Sequence, residues 1–150
     1  MSLKATIEEA RLAYGALRRM NESVKLPQKP AWRVARLMGK LKPIVTDFEE
    51  TQLKLFKDAG GEQAGNGVQI PPLERREDEP SSSWEARQKE RRETIAKLND
   101  DLRELNKTEV DVDYDAIPLS MFEDKEGTPE DKKMRFSAND FHDLGPFITE

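Results

Sequence analysis

Three stretches of the chain repeat apolar residues at alternating steps of three and four, a spacing that dictates amphipathic helices with one narrow apolar side. In the first, Leu3, Ile7, Ala10, Tyr14 and Leu17 align; in the second, Val34, Leu37, Leu41, Ile44, Phe48 and Leu55; in the third, Ile95, Leu98, Leu102 and Leu105. Seams of this width belong to coiled coils and helical hairpins. Little competes with that signal: the chain has one histidine, no cysteine and no motif with catalytic spacing.

Seams need something to pack against, and the supply is short. Leu, Ile, Val and Phe make up about a fifth of the 150 residues, close to the level below which chains stay disordered. Charged residues are 37% of the chain and the net charge is −5. Burying a Leu or Phe is worth about 1.5–3 kcal/mol, so roughly a dozen of them only just offset the ordering entropy of one domain. A thin core of this kind implies self-association or a protein partner. Charge is also sorted along the chain: residues 1–59 hold 12 basic and 7 acidic side chains, whereas residues 108–150 hold 4 and 12. Such asymmetry lets one end dock on another, within a chain or between copies.

The absence of cysteine excludes disulfides, thiolate metal sites and a cysteine nucleophile. The start, MSLKATIEEA, lacks the apolar core of a signal peptide. No apolar run approaches the ~20 residues that cross a bilayer. The expectation is a soluble, intracellular protein without membrane association.

The spacing predicts a first helix over Leu3–Asn21 and a second over Ala31–Ala59, with Pro30 in its first turn and Gly60 and Gly61 ending it, one of them left-handed. Pro43 lies inside the second pattern; Gly39, four residues back, can absorb the bend, so a kinked single helix is expected. Residues 60–83 read as a long flexible loop in which Val68 and Ile70 form a very short strand. Ser82 with Glu85 forms a capping box opening a third, charged helix over 84–107, whose seam begins only at Ile95. From Glu109 the period becomes two: Val110, Val112 and Tyr114 face one way, Asp111, Asp113 and Asp115 the other. That strand needs a neighbour, either the 67–70 segment or another molecule's sheet. After a charged loop over 123–135, Ser137 with Asp140 caps a last short helix, Phe136 staples onto Phe141, and Gly145-Pro146 stops it.

The fold class is therefore mainly α: a helical hairpin or three-helix arrangement with a kinked long second helix, a small β element and a C-terminal helical cap. As segments, 1–59 form the hairpin, 60–83 the loop, 84–107 the charged helix, and 108–150 the strand and cap, all within one domain. The front seams with Phe48 and Phe56 are expected to pack on Ile95–Leu105, with Ile117, Leu119, Phe122, Phe141, Leu144 and Phe147 closing the core.

Few residues carry chemistry. Asp111, Asp113 and Asp115 have the spacing that opens an EF-hand loop, but Ala116 and Phe122 stand where its Gly and Glu belong, so they read as the wet face of a strand. Six basic residues and no acidic one lie between Ser23 and Thr46, namely Lys25, Lys29, Arg33, Arg36, Lys40 and Lys42. Arg33, Arg36 and Lys40 are expected opposite the Val34–Leu37–Leu41 seam, with Trp32 beside Arg36. That face suits the chain's own acidic third or a partner's acidic groove, with phosphate backbones as the alternative. His142 lies between Asp140 and Asp143, and no second histidine or nucleophile supports a role as general base. Trp32 and Trp84 stand at helix starts, as buried anchors or as interface hot spots. The candidate interaction residues are thus Lys29, Trp32, Arg33, Arg36, Lys40, Trp84, and the strand edge of Val110, Val112 and Tyr114. No catalytic, cofactor-binding or metal-binding residue is assigned, and no small-molecule substrate is expected.

The tail LNKTEVDVDYDAIPLSMFE followed by FSANDFHDLGPFI, behind a helical front half, resembles small tailed-bacteriophage proteins of unassigned function. The likeness covers roughly residues 105–148 and rests on hydrophobic pattern, so it carries over no functional residue. It implies a viral origin and residence in the host cytoplasm or the virion. Together these readings point to a non-enzymatic interaction protein, a minor structural, assembly or adaptor component using helix faces and a strand edge. The alternative is a nucleic-acid-associated or transcription-modulating protein using the basic face of residues 25–42.

Overall fold

The computed structural model describes residues 2–23, 26–65, 67–123 and 136–150. Among these the fold is mainly α, with four helices and short strands. In order they are β1 (Leu3–Thr6), α1 (Ile7–Ser23), α2 (Gln28–Asp58), β2 (Glu62–Ala64), β3 (Gly67–Gln69), α3 (Ser81–Lys107), β4 (Glu109–Val112), β5 (Ile117–Pro118), α4 (Ala138–Leu144) and β6 (Ile148–Thr149). The charged tract expected over 123–135 falls, beyond Glu123, outside the described residues, as does Lys25. The chain forms two compact units, one of residues 1–47 with 107–150 and one of residues 48–106.

In the first unit the chain does not begin as a helix. Leu3–Thr6 is a strand, antiparallel to β4 with Leu3 opposite Val112, Lys4 opposite Asp111, Ala5 opposite Val110 and Thr6 opposite Glu109. The alternating strand thus finds its neighbour at the N-terminus, neither in residues 67–70 nor in another molecule. Ile7 N–H continues the pairing onto the Thr108 carbonyl at 2.9 Å. A capping box turns the chain into α1: Thr6 Oγ1 accepts from the Glu9 N–H at 3.1 Å, and the Thr6 N–H donates to Glu9 Oε1 at 2.9 Å.

α1 buries Ile7, Ala10, Ala13, Ala16, Leu17 and Met20, a broader face than its expected seam. Three of these are alanines, and α1 packs on α4 within the same core. The first part of α2 contributes Val34, Leu37 and Leu41, and the tail contributes Val112, Ile117, Phe122, Leu144 and Phe147 to the same core. The expectation that the front seams pack on Ile95–Leu105 is corrected for α1 and for Val34, Leu37 and Leu41, which receive the tail; the later part of the α2 seam does meet α3, since Leu55 and Leu98 line one recess of the second unit. Ser137 caps α4 as expected, its Oγ accepting from the Asp140 N–H at 3.2 Å and its N–H donating to Asp140 Oδ2 at 3.3 Å. Phe136 meets Phe141 edge-on at 5.7 Å, and Phe122 completes the trio at 5.4 and 6.0 Å. Arg19 of α1 bridges to Asp140 at 3.2 Å and Asp143 at 2.9 Å. Gly145, at φ 50°, ends the helix, and β6 then lies parallel to β5 with Ile117 opposite Ile148.

α2 runs through Pro43 as one helix. Pro43 and Gly39 are both exposed, so the interruption lies on the outer side of the helix.

In the second unit α2 closes with a Schellman motif: Gly61 N–H donates to the Phe56 carbonyl at 2.8 Å, Gly60 N–H to Lys57 at 3.0 Å, and Gly60 takes φ 93°. Gly61 is dictated by space, since a Cβ there would stand 2.6 Å from the Phe56 carbonyl oxygen. The expected loop over 60–83 contains a hairpin, with β2 antiparallel to β3 and Gln63 opposite Val68. α3 starts at Ser81, which puts the expected cap Ser82 inside its first turn, and Glu79 ties the preceding turn to the side chains of that first part of the helix. Its carboxylate accepts from the Arg76 N–H at 3.1 Å, from Ser83 Oγ at 3.0 Å and from Arg87. Phe48 and Leu98 are the buried apolar residues of this unit among those described.

Candidate interaction surface

The candidate residues of the first unit gather at the start of α2. Trp32 is 59% exposed, so it is no buried anchor. Helical rotation of about 100° per residue puts it about 140° from Leu37 and 180° from Leu41, which turns it away from the core. The same arithmetic puts Arg36 and Lys29 within about 60° of Trp32, and both are exposed. The Arg36 guanidinium lies 5.4 Å from the centre of the Trp32 ring. Lys40, one turn further on, is exposed as well.

Arg33 departs from the expected basic face. It stands about 40° from Leu37, at the margin of the seam rather than opposite it. From there its Nη2 donates to the backbone carbonyls of Asp115 and Ala116, both at 3.3 Å. Its guanidinium sits over Tyr114, 5.1 Å from the ring centre. The Tyr114 hydroxyl donates back to the Arg33 carbonyl at 3.4 Å. Arg33 Nε is buried without a hydrogen-bond partner, so the carbonyls and the ring together answer its charge. Arg33 is therefore a latch between α2 and the chain leaving β4, and only in part a surface cation.

The expected strand edge is corrected too. Val112 is buried in the core and Val110 is half-buried against it, because β1 occupies the neighbouring position in the sheet. Tyr114 is half-buried and belongs to the Arg33 latch. Glu109, Asp111, Asp113 and Asp115 face water, as the period of two requires. Trp84 is half-buried in the second unit, with the Arg87 guanidinium 5.7 Å from its ring centre.

Trp32 stands between two recesses. One, of about 280 Å³, is lined by Trp32, Arg33, Asp113, Tyr114 and Asp115. The other, of about 460 Å³, is lined by Gln28, Lys29, Trp32, Arg33 and Met121. Sequence reasoning missed Gln28 and Met121. The helical offset from Gln28 to Trp32 is a local signal; Met121 arrives through tail packing and leaves none. Chemically the surface offers an indole, three exposed cations on the helix side and two carboxylates on the tail side, with no nucleophile–base pair. His142 is exposed on α4, next to the carboxylates that hold Arg19. Among the described residues no group of three or more His, Cys, Asp or Glu is placed to hold a metal ion, and no helix is long and apolar enough to cross a membrane.

No protein-family model, curated protein or solved structure matches the chain.

Proposed function

We propose that the protein is a non-enzymatic binding component that docks onto other protein through the Trp32 face of α2. The observation that carries this reading is the indole held 59% in water between two recesses and flanked by exposed Lys29 and Arg36. Tryptophan and arginine dominate interface hot spots, because covering a large rigid ring yields much apolar burial for little lost side-chain freedom. The resemblance of residues 105–148 supports placing this activity in a tailed bacteriophage, as a minor structural, assembly or adaptor component. Its setting would be the host cytoplasm or the virion.

A second reading rests on the exposed cations Lys29, Arg36 and Lys40 beside an exposed aromatic ring, a combination that suits a nucleic-acid strand. Against it, Arg33 spends its donors on backbone carbonyls, and Asp113 and Asp115 line the same recess.

Capture from cell lysate with the wild type, Trp32→Ala and Leu53→Ala separates these readings when combined with a salt titration of duplex-DNA binding. The first reading expects protein capture lost in Trp32→Ala and kept in Leu53→Ala, which changes an exposed residue of the second unit. Equal capture by wild type and Trp32→Ala refutes it. DNA affinity that falls steeply with salt, and is abolished by Lys29→Glu with Arg36→Glu, establishes the second reading instead.

A further inference from the structure

We infer that the occupant of the Trp32 face is the same face of a second copy of this chain. The inference rests on the reading of that face as a docking surface and names its partner.

Charge is divided across the indole. On the helix side stand Lys29, Arg36 and Lys40, all exposed. On the tail side stand Asp113 and Asp115, exposed and lining the recess that Trp32 shares with Tyr114. Asp111, the next carboxylate back, faces Lys4 across the sheet, so the negative character is concentrated at 113 and 115. A patch that is positive on one side of a central aromatic and negative on the other is complementary to itself under a two-fold rotation. Turning one copy about an axis through Trp32 brings its Arg36 and Lys29 onto the partner's acidic side, and the reverse contact forms at once. A different protein would need the same division of charge across its own surface; a second copy has it by construction.

The recess already holds one cation, Arg33 over Tyr114, and leaves its Trp32 and Asp113 side for a second. Its aromatic walls already attract guanidinium groups within the chain, Arg33 over Tyr114 at 5.1 Å and Arg36 over Trp32 at 5.4 Å. Its volume of about 280 Å³ accommodates one long side chain. An arginine entering from another copy meets the Asp113 carboxylate and the Trp32 ring, with Arg33 covering Tyr114 on the opposite wall. The pairing also answers the thin core expected from composition, because it covers the largest exposed apolar side chain described.

The test is the mass of the full chain by light scattering and sedimentation, from low micromolar to the highest soluble concentration. It uses the wild type, Trp32→Ala, Arg36→Asp, Asp113→Arg, and the last two combined. Each changed side chain is exposed, and circular dichroism checks that the fold is kept. The expected result is a dimer for the wild type and a monomer for Trp32→Ala. Each single charge reversal weakens pairing by about tenfold or more, and the combined variant returns to within about threefold of the wild type. A wild type that stays monomeric throughout overturns the inference, as does a dimer indifferent to Trp32→Ala and to both reversals. If the wild type is monomeric but Trp32→Ala still abolishes capture from lysate, self-pairing falls while the docking surface stands. If capture is unaffected as well, both fall.

Discussion

Truncating Phe147 to alanine tests whether the C-terminal turn is part of the core. The ring is fully buried, 0% exposed, in the short 3₁₀ turn between α4 and β6. It belongs to a core that joins α1, α2 and the tail through Leu17, Leu37, Ile117 and Leu144. Losing the transfer energy of the ring costs about 1.5–3 kcal/mol. The walls cannot collapse freely, since Ile117 is tied to Ile148 by strand pairing and Leu144 ends a capped helix. The residual cavity raises the cost to about 3–5 kcal/mol. Against a total stability of about 5–15 kcal/mol, that is about a fifth or more of what holds a domain together. With a urea m-value of about 1–3 kcal/mol per molar, the unfolding midpoint should drop by about 2 M at unchanged m. Leu12→Ala is the matched control, an apolar truncation on α1 at a residue 49% exposed, and should stay within about 0.5 kcal/mol. A midpoint for Phe147→Ala that moves no further than that of Leu12→Ala refutes the placement of the tail in the core.

Three other outcomes follow from named contacts. Thr6→Ala removes the capping box between β1 and α1 and should cost about 1 kcal/mol by urea unfolding; no loss means the junction is not held by that side chain. Arg33→Lys keeps the charge but loses the planar fork over Tyr114, so about 1–3 kcal/mol of stability and the near-ultraviolet dichroism of Tyr114 should change; a wild-type spectrum and midpoint contradict the latch. The Glu79 carboxyl is lowered from 4.5 to about 2, first by its hydrogen bond from Arg87 and then by the Arg76 N–H and Ser83. Because the folded value is the depressed one, its stabilisation of the α3 start is complete above pH 4.5 and is lost as pH falls toward about 2. Amide protection over residues 81–87 should decline across that window in the wild type and be already low and flat in Glu79→Gln; identical profiles sink the assignment.

What could be read from residues alone was whatever short-range interactions decide. The second and third helices follow from the periodicity of their apolar residues, the α4 cap from Ser137 and Asp140, and the end of α2 from a glycine able to take a positive φ. The angle of Trp32 from the seam is a property of one helix, yet the residues alone left it between buried anchor and hot spot, and the Thr6–Glu9 capping box was hidden by a helical period that starts at Leu3. Tertiary structure decided the rest. Leu3–Thr6 satisfies a helical period as well as a strand, and only hydrogen bonding to residues more than a hundred positions away makes it β1. The alanines of α1 look weak in composition, yet the core shared with α2 and the tail buries them fully. Helical phase puts Arg33 at the seam margin and Arg36 away from it, but the carbonyl pair and the tyrosine ring that receive Arg33 are delivered by the tail. Local spacing sets what each segment can form, while burial and long-range pairing choose among those options, because a short segment has no free-energy preference large enough to decide by itself.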